Sequence, residues 1–323
     1  MRSEEMKTTL VTGGAGFIGS HLCEHLLQEG HHPICFDNFD SFYDPNIKIK
    51  NVEQIIKKFP ERFEVVTGDI RNQEHVREVF KKNRIDLIVH LAARPGVRPS
   101  LENPLLYQDV NLKGTIVLLE ACRENRVKDF IFASSSSVYG ENQRVPFSEE
   151  DLNLHPISPY GVTKRAGELL CYAYHHLYGM NIACLRIFTA YGPKQRPEMA
   201  IHKFTRLVDQ GEKIPMYGDG SSQRDYTYID DLIEGIRATI HHHRGFEIYN
   251  LGESQTTSLK ELIGLIEETM GKKARIEVLE TQPGDVSITY ADITKAKEKL
   301  GYQPRTPLIE GIKRFVKWYK KEK

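Results

Sequence analysis

The sequence predicts an α/β fold built on a doubly wound parallel sheet, with a smaller α/β domain towards the C-terminal end. Three observations carry this. Short β-rich runs alternate with longer amphipathic stretches through the first half of the chain. A glycine-rich turn joins the first run to the first helical pattern. Of the 323 residues, 40% are hydrophobic, enough to bury a large core. The runs at 8–12, 32–37, 63–69, 86–92, 129–134 and 181–188 are near-continuous apolar segments of the kind buried on both faces of a parallel sheet. Helical patterns fill the gaps between them, as right-handed crossovers require. Beyond about Gly192, proline and glycine break the rhythm, and helical patterns recur near 198–210, 230–242, 258–270 and 307–320. The expected division is 1–190 for the sheet domain and 191–323 for the smaller one, the two closely interleaved.

Composition removes several classes of function. Lys+Arg and Asp+Glu are both 44, so no net charge draws the chain to nucleic acid or an anionic membrane, and an anionic substrate must be held by locally placed cations. Cys23, Cys35, Cys122, Cys171 and Cys184 are scattered without a C-x-x-C pair, which points to reduced, packed thiols and a cytoplasmic location. The start, MRSEEMKTT, carries acidic residues where a signal peptide needs a basic and then an apolar run, and no stretch approaches the length of a membrane span. His241-His242-His243 invites a metal reading. Consecutive helical residues point about 100° apart, however, so a solvated helix end and no metal are expected. The basic amphipathic tail GIKRFVKWYKKEK is expected to dock on its own domain.

The turn Thr12-Gly13-Gly14-Ala15-Gly16-Phe17-Ile18-Gly19 follows the first strand and opens a helix. Glycines at 13, 16 and 19 permit a tight turn, close approach of backbone N–H groups to a pyrophosphate, and close packing of helix on strand. This is a Rossmann-type dinucleotide site, with Phe17 and Ile18 at the helix start. Asp37 ends the second strand eighteen residues after Gly19, where its carboxylate can accept from the adenosine ribose hydroxyls and repel a 2′-phosphate. NAD is therefore expected over NADP, with Asn38 beside it. Asp69 and Ile70, after the third strand, are placed for the adenine, and Ala92 ends the fourth.

Tyr160 and Lys164 lie one helical turn apart in SPYGVTKRAGE and so share a face. A free phenol has a pKa of about 10; a neighbouring ammonium and a positive nicotinamide ring favour the phenolate, a base for a sugar hydroxyl. Upstream, the fifth strand ends in Ser134-Ser135-Ser136-Ser137-Val138-Tyr139-Gly140, placing hydroxyls at the carboxyl edge of the sheet, where ligands of such folds bind.

The fingerprint TGGAGFIGSH, the segment SSSSVYG, YGVTK, and the later RIFTAYGPKQRP, QRDYTYIDD and QPGDVSITYAD together resemble the extended short-chain dehydrogenase/reductase family of nucleotide-sugar enzymes, over nearly the whole chain. The resemblance implies Tyr160 as acid/base, Lys164 as ribose ligand and tuning group, Ser135 as partner of the reacting sugar oxygen, and Asn111 as a further cofactor-site residue. It also implies a homodimer through helices near 102–124 and 159–177.

All such enzymes begin by oxidising C4 of the sugar with NAD, and the outcome depends on what else is present. Dehydratases of the family carry Asp-Glu before V-Y-G, and decarboxylases carry Glu directly before it; here Ser136 and Ser137 occupy those positions, and a serine hydroxyl ionises too reluctantly to replace an acid. Epimerisation at C4 is the expected reaction. Arg224 resembles the family's pyrophosphate arginine and Asp285 is placed for the uridine ribose. Thr189, Arg196, the segment Gly96-Val97-Arg98 and Gln282 resemble UDP-glucuronate 4-epimerases most, with Arg196 and Thr189 facing a C6 carboxylate. UDP-glucose or UDP-N-acetylglucosamine epimerisation, UDP-glucuronate decarboxylation, an ordinary alcohol dehydrogenase and a protein that only senses NAD and UDP-sugar are the alternatives.

Overall fold

The computed structural model describes residues 6–152, 154–281 and 284–323. In chain order its first part runs β1 (Thr8–Thr12), α1 (Phe17–Gln28), β2 (His32–Asp37), α2 (Pro45–Lys58), β3 (Glu64–Thr67), α3 (Gln73–Lys82) and β4 (Leu87–His90). There follow α4 (Val97–Glu102), α5 (Pro104–Tyr107), a π-helical turn at Gln108–Lys113, α6 (Gly114–Asn125), β5 (Asp129–Ser135), a 3₁₀ turn at Ser136–Tyr139, α7 (Pro159–Tyr178) and β6 (Asn181–Ile187). The remainder is β7 (Thr189–Tyr191), α8 (Ala200–Gln210), β8 (Lys213–Tyr217), β9 (Gln223–Arg224), β10 (Tyr226–Tyr228), α9 (Ile229–His242), β11 (Phe246–Leu251), β12 (Thr257–Ser258), α10 (Leu259–Met270), β13 (Arg275–Leu279), α11 (Thr294–Leu300) and α12 (Leu308–Glu322).

Seven strands form one parallel sheet in the order β11-β6-β5-β4-β1-β2-β3. The six strands expected from the sequence are all present, with ends moved by a residue or two. The seventh, β11, was not anticipated; it comes from the later part of the chain and pairs with β6 from Phe246↔Ile182 to Leu251↔Ile187. The chain winds outward from β1 to β3, then returns to β4 and winds the other way, leaving a switch point between β1 and β4.

Side chains alternate across the sheet. Leu10, Ile88, Phe130 and Phe132 pack into one buried layer with Val117, Leu118 and Cys171 from α6 and α7, while Val11, Val89 and Ile131 pack into the other with Leu22 and Leu26 of α1. The second layer continues into the apolar faces of α8, α9, α10 and α12, so the C-terminal elements share a core with the sheet. The tail helix buries Ile312, Phe315 and Val316 there, as expected. All five cysteines are buried free thiols, and no described helix is long and apolar enough to cross a membrane.

Candidate active site

A cleft of about 490 Å³ opens at the carboxyl ends of the strands around the switch point. It adjoins a second cavity of about 670 Å³ among the C-terminal elements, the two sharing Thr189, Met199, Arg224, Asp285 and Val286.

The floor is the turn between β1 and α1. Gly13 has φ +71°, and a Cβ on it would lie 2.8 Å from the Ala92 nitrogen. A Cβ on Gly19 would lie 2.2 Å from the Gly13 carbonyl oxygen, so α1 presses onto the turn as only glycine allows. Gly16 caps α1 without a side chain, leaving first-turn N–H groups at Phe17, Ile18 and Gly19 for an anion. This cradle fits a dinucleotide pyrophosphate.

At the adenosine end, Asp37 is buried at 6% exposure, accepting from Phe39 N–H at 2.8 Å and Ala15 N–H at 3.2 Å. Lys48 Nζ lies 3.6 Å from Asp37, donates to the Asp40 carbonyl at 3.2 Å and sits over the Tyr43 ring. The sequence reading missed Lys48. A signal existed: with Asn51, Val52 and Ile55 it falls on the buried face of α2. Asn38 and Ile70 line the cleft. Asp69 does too, but its carboxylate is gripped by Arg71, Nε to Oδ1 at 3.0 Å and Nη2 to Oδ2 at 2.7 Å, which holds it below the usual carboxylate range.

Asn111 is the further cofactor-site residue that the resemblance implies. It is buried in the π-helical turn, where Oδ1 accepts from Arg94 N–H at 2.7 Å and Nδ2 donates to the Arg94 carbonyl and the Thr163 hydroxyl. It clamps the segment after β4, where Arg94 lines the cleft, to α7.

Tyr160 and Lys164 face the cleft from the first turns of α7, which Ser158 caps through its hydroxyl to Gly161 N–H. Lys164 Nζ donates to the Ala133 carbonyl at 2.6 Å and lies 5.9 Å from the Tyr160 ring centre. Burial lowers the Lys164 pKa to about 8, opposed by Cys171 and Glu168. Burial also raises the Tyr160 phenol, while the Ser135 hydroxyl and the Arg196 charge pull it down. Ser135 Oγ accepts from Ser137 N–H at 3.1 Å, so the 3₁₀ turn fixes the serine hydroxyls at the strand end, where Ser135, Ser136 and Ser137 all line the cleft.

On the opposite side, Thr189 and Arg196 face the space above Tyr160. Arg196 lies over Phe42 and pairs with Glu198 at 3.1 Å. His21 Nε2 meets the Pro193 carbonyl at 3.0 Å and Lys194 lies 3.7 Å from Glu24, tying the Arg196 segment to α1. Arg98 and Asp285, both predicted substrate contacts, pair with each other at 2.5 Å, with Arg98 4.3 Å from the Tyr217 ring centre. Arg224 reaches the mouth while donating to the Gln223 carbonyl at 2.8 Å. Gln282 lies outside the described residues. Arg94, which pairs with Asp40 and lies over Phe42, also lines the cleft and was not anticipated.

The histidine tract is solvated only in part, since His242 is exposed and His241 half-buried. His243 is buried, its Nδ1 at 2.7 Å from the Thr239 carbonyl. His241 reaches His31 and Glu29, their donor atoms within 4.8 Å of one another. Glu29 is also paired with Arg237, and His31 Nδ1 accepts from Lys7 N–H at 3.3 Å.

A family model described as GDP-mannose 4,6 dehydratase matches residues 10–315. The chain belongs to that family. Among its family relatives, a UDP-glucuronate 4-epimerase of Thermodesulfobacterium geofontis is 43% identical over 313 residues, 96% of this chain and 95% of that protein. The structure of a Bacillus cereus UDP-glucuronic acid 4-epimerase, in complex with UDP-glucuronic acid and NAD, superposes with a TM-score of 0.90 at 38% identity, covering 98% of this chain and all of that one. A Thermotoga maritima UDP-glucose 4-epimerase with UDP-glucose has a TM-score of 0.90 at 33% identity, covering 98% and 99%.

Proposed function

We propose that the protein is an NAD-dependent epimerase that inverts C4 of UDP-glucuronate to give UDP-galacturonate. The observation that carries this is the meeting, in one cleft, of Tyr160, Lys164 and Ser135 with an arginine, Arg196, facing the same space from the other wall. NAD, which the glycine turn and Asp37 would hold, would supply the hydride acceptor and donor for C4. Tyr160 takes the proton of the C4 hydroxyl and gives it back, its phenolate favoured by the Lys164 ammonium and the Ser135 hydroxyl. Arg196 and Thr189 hold the C6 carboxylate.

The 4-keto form of glucuronate is a β-keto acid that loses carbon dioxide readily, so the carboxylate must be fixed and kept from acid. Ser137 in place of a glutamate supports retention of the carboxylate, and Ser136 with Ser137 leaves no acid–base pair for dehydration. Arg98, Arg224 and Asp285 at the mouth serve the UDP group, which a C4 epimerase must grip while the sugar turns.

Incubation with UDP-glucuronate, UDP-glucose and UDP-N-acetylglucosamine, followed by NMR of the products, tests the assignment. UDP-galacturonate from the first substrate is expected. Release of a UDP-pentose, or turnover of UDP-glucose alone, overturns it; net accumulation of NADH identifies a dehydrogenase, and binding of NAD and UDP-sugar with no product, unchanged in Tyr160→Phe, a binding protein.

We further infer a cytoplasmic homodimer. The buried reduced thiols support the compartment. Exposed Ile116, Val162, Leu169, Tyr172 and Leu177 on α6 and α7 support pairing through those helices, to be checked by light scattering of the full chain.

A further inference from the structure

Beneath the catalytic pair lies an ion pair closed off from solvent and unused in the chemistry above. Glu168, one turn beyond Lys164 on α7, and Arg186 on β6 each have side chains 1% exposed. Arg186 donates from Nε to Glu168 Oε1 at 2.9 Å and from Nη2 to Oε2 at 3.0 Å. The outer lone pairs of the carboxylate are filled as well, by the Ser134 hydroxyl at 2.6 Å and Arg165 Nη1 at 2.8 Å. On its far side Arg186 donates to the Tyr139 hydroxyl at 2.9 Å, and Tyr139 donates to Asn250 Oδ1 at 2.7 Å. Asn250, on β11, donates in turn to the carbonyls of Phe147 and Asp292.

A buried ion pair is weak evidence for stability, because desolvating two charges offsets most of their attraction. Its location suggests another use. Ser134 sits between Ala133, whose carbonyl receives the Lys164 ammonium, and Ser135, whose hydroxyl acts on Tyr160. We propose that Glu168 is a positioning residue for catalysis: held by Arg186 and Ser134, it sets the seating of α7 on the end of β5 and supplies the negative charge that keeps Lys164 an ammonium. This rests on the assignment of Tyr160 and Lys164 as the reacting pair.

The charge balance around Lys164 supports the second role. On α7 the Tyr160 ring is 5.9 Å away and Glu168 and Cys171 are near enough for their charge to act on it; from β4, His90 is within the same range; from β5, the uncharged ring of Phe132 is 5.1 Å away; from β6, Arg186 lies behind Glu168. His90 is neutral: burial takes its pKa to about 3, and its ring nitrogens meet Thr12 and Thr115. Glu168 is the one carboxylate among these groups, and Arg186, Ser134 and Arg165 keep it ionised against the effect of burial. Neutralising Glu168 removes this attraction and leaves Arg186 as an uncompensated positive charge, and both changes favour the free amine of Lys164.

The test uses the full chain with NAD bound. Lys164 is followed by NMR of protein labelled with [6-¹³C]lysine, its signal assigned against Lys164→Met, beside the pH profile of kcat. In Glu168→Gln, the Lys164 midpoint and the alkaline limb of kcat are expected to fall together by about one pH unit or more, with kcat near neutrality down roughly tenfold and KM within about twofold. Glu168→Gln/Arg186→Met, which restores buried neutrality, brings the midpoint part of the way back. Ser134→Ala leaves the charges in place and lowers kcat several-fold with the midpoint unmoved. A folded Glu168→Gln protein with unchanged midpoint and unchanged kcat overturns the proposal, as does a change confined to thermal stability. Should Glu168→Gln fail to fold, Ser134→Ala and the double variant decide, wild-type kcat in both overturning it. Failure of wild-type protein to convert any UDP-sugar would sink the functional assignment instead, and leaves the NMR midpoints to report on Glu168 by themselves.

Discussion

On the sheet side of the cleft the groups proposed to react are held by buried partners, Lys164 by the Ala133 carbonyl, Ser135 by the 3₁₀ turn and α7 by the Glu168–Arg186 pair; on the C-terminal side the charged groups hold one another at the surface. Arg98 and Asp285, which are 42% and 34% exposed, close on each other across the mouth, and Arg224 rests on a backbone carbonyl. The contrast suits the chemistry proposed above. A proton must be moved between fixed atoms, so its carriers are preorganised. A nucleotide must enter and leave, so its ligands are paired weakly enough to exchange partners.

Substitution on the rigid side tests that contrast hardest. Tyr160→Phe is expected to lower kcat by about 10²–10⁴-fold with KM and melting temperature unchanged, read by product NMR and thermal denaturation. A comparable loss from any single change at the mouth would break the comparison.

Arg196 sharpens it, because this residue bridges the two sides. Arg196→Met removes one charged contact, typically about 1.5–3 kcal/mol, so kcat/KM for UDP-glucuronate should fall roughly 10–100-fold while that for UDP-glucose does not. An equal fall for both substrates would show that Arg196 does not read the carboxylate.

Asp285→Asn loosens the mouth alone. KM for the UDP-sugar is expected to rise roughly three- to tenfold, with kcat unchanged, since an exposed pair contributes about 1 kcal/mol or less and the remaining loss is the ribose contact. A fall in kcat at saturating substrate would place Asp285 in the chemistry.

The smallest effect concerns the base of the C-terminal side. Asp225 is buried there, accepting from the N–H groups of Glu253, Ser254 and Ala291, and burial raises its pKa to about 6. Next to it burial, Asp231 and Asp225 raise Glu253 to about 8. The folded state therefore holds protons the unfolded chain has released, from the ordinary carboxylate range up to about pH 8, and stability declines as pH rises through that window. Glu253→Gln removes the Glu253 part, so its melting temperature should exceed wild type at pH 8 and match it near pH 4. A gain that is the same at both pH values would rule out Glu253 as the titrating group.

How much of this was visible in the sequence depends on the range of the interaction. The glycine turn, Asp37, and Tyr160 with Lys164 are marked by spacing along one or two adjoining elements, and the structure brings them to one cleft. The six strands of the first half announce themselves as apolar runs. β11 does not, since FEIYNL follows a glycine in a region of broken rhythm and becomes a sheet strand only by pairing with β6, 64 residues earlier. Lys48 lies in a helix with three other lysines, where charge suggests a solvated face and only the period hints at burial. The bond of Asn111 to Arg94 was not visible either, because nothing local signals a π-helical turn. Arg98 and Asp285 were read as two separate ligands, since their pairing joins segments 187 residues apart.

The strand that was hardest to see also limits how the molecule can be dissected. Cutting after residue 190 would strip β11 from the sheet, uncover the whole hydrogen-bonding edge of β6 and remove the Asn250 end of the chain that runs through Tyr139 to Arg186. A recombinant N-terminal half would carry the glycine turn, Tyr160 and Lys164 intact in sequence, yet emerge with an open, apolar strand prone to self-association. Any unit that keeps the glycine turn and Tyr160 together in a closed sheet must also include β11.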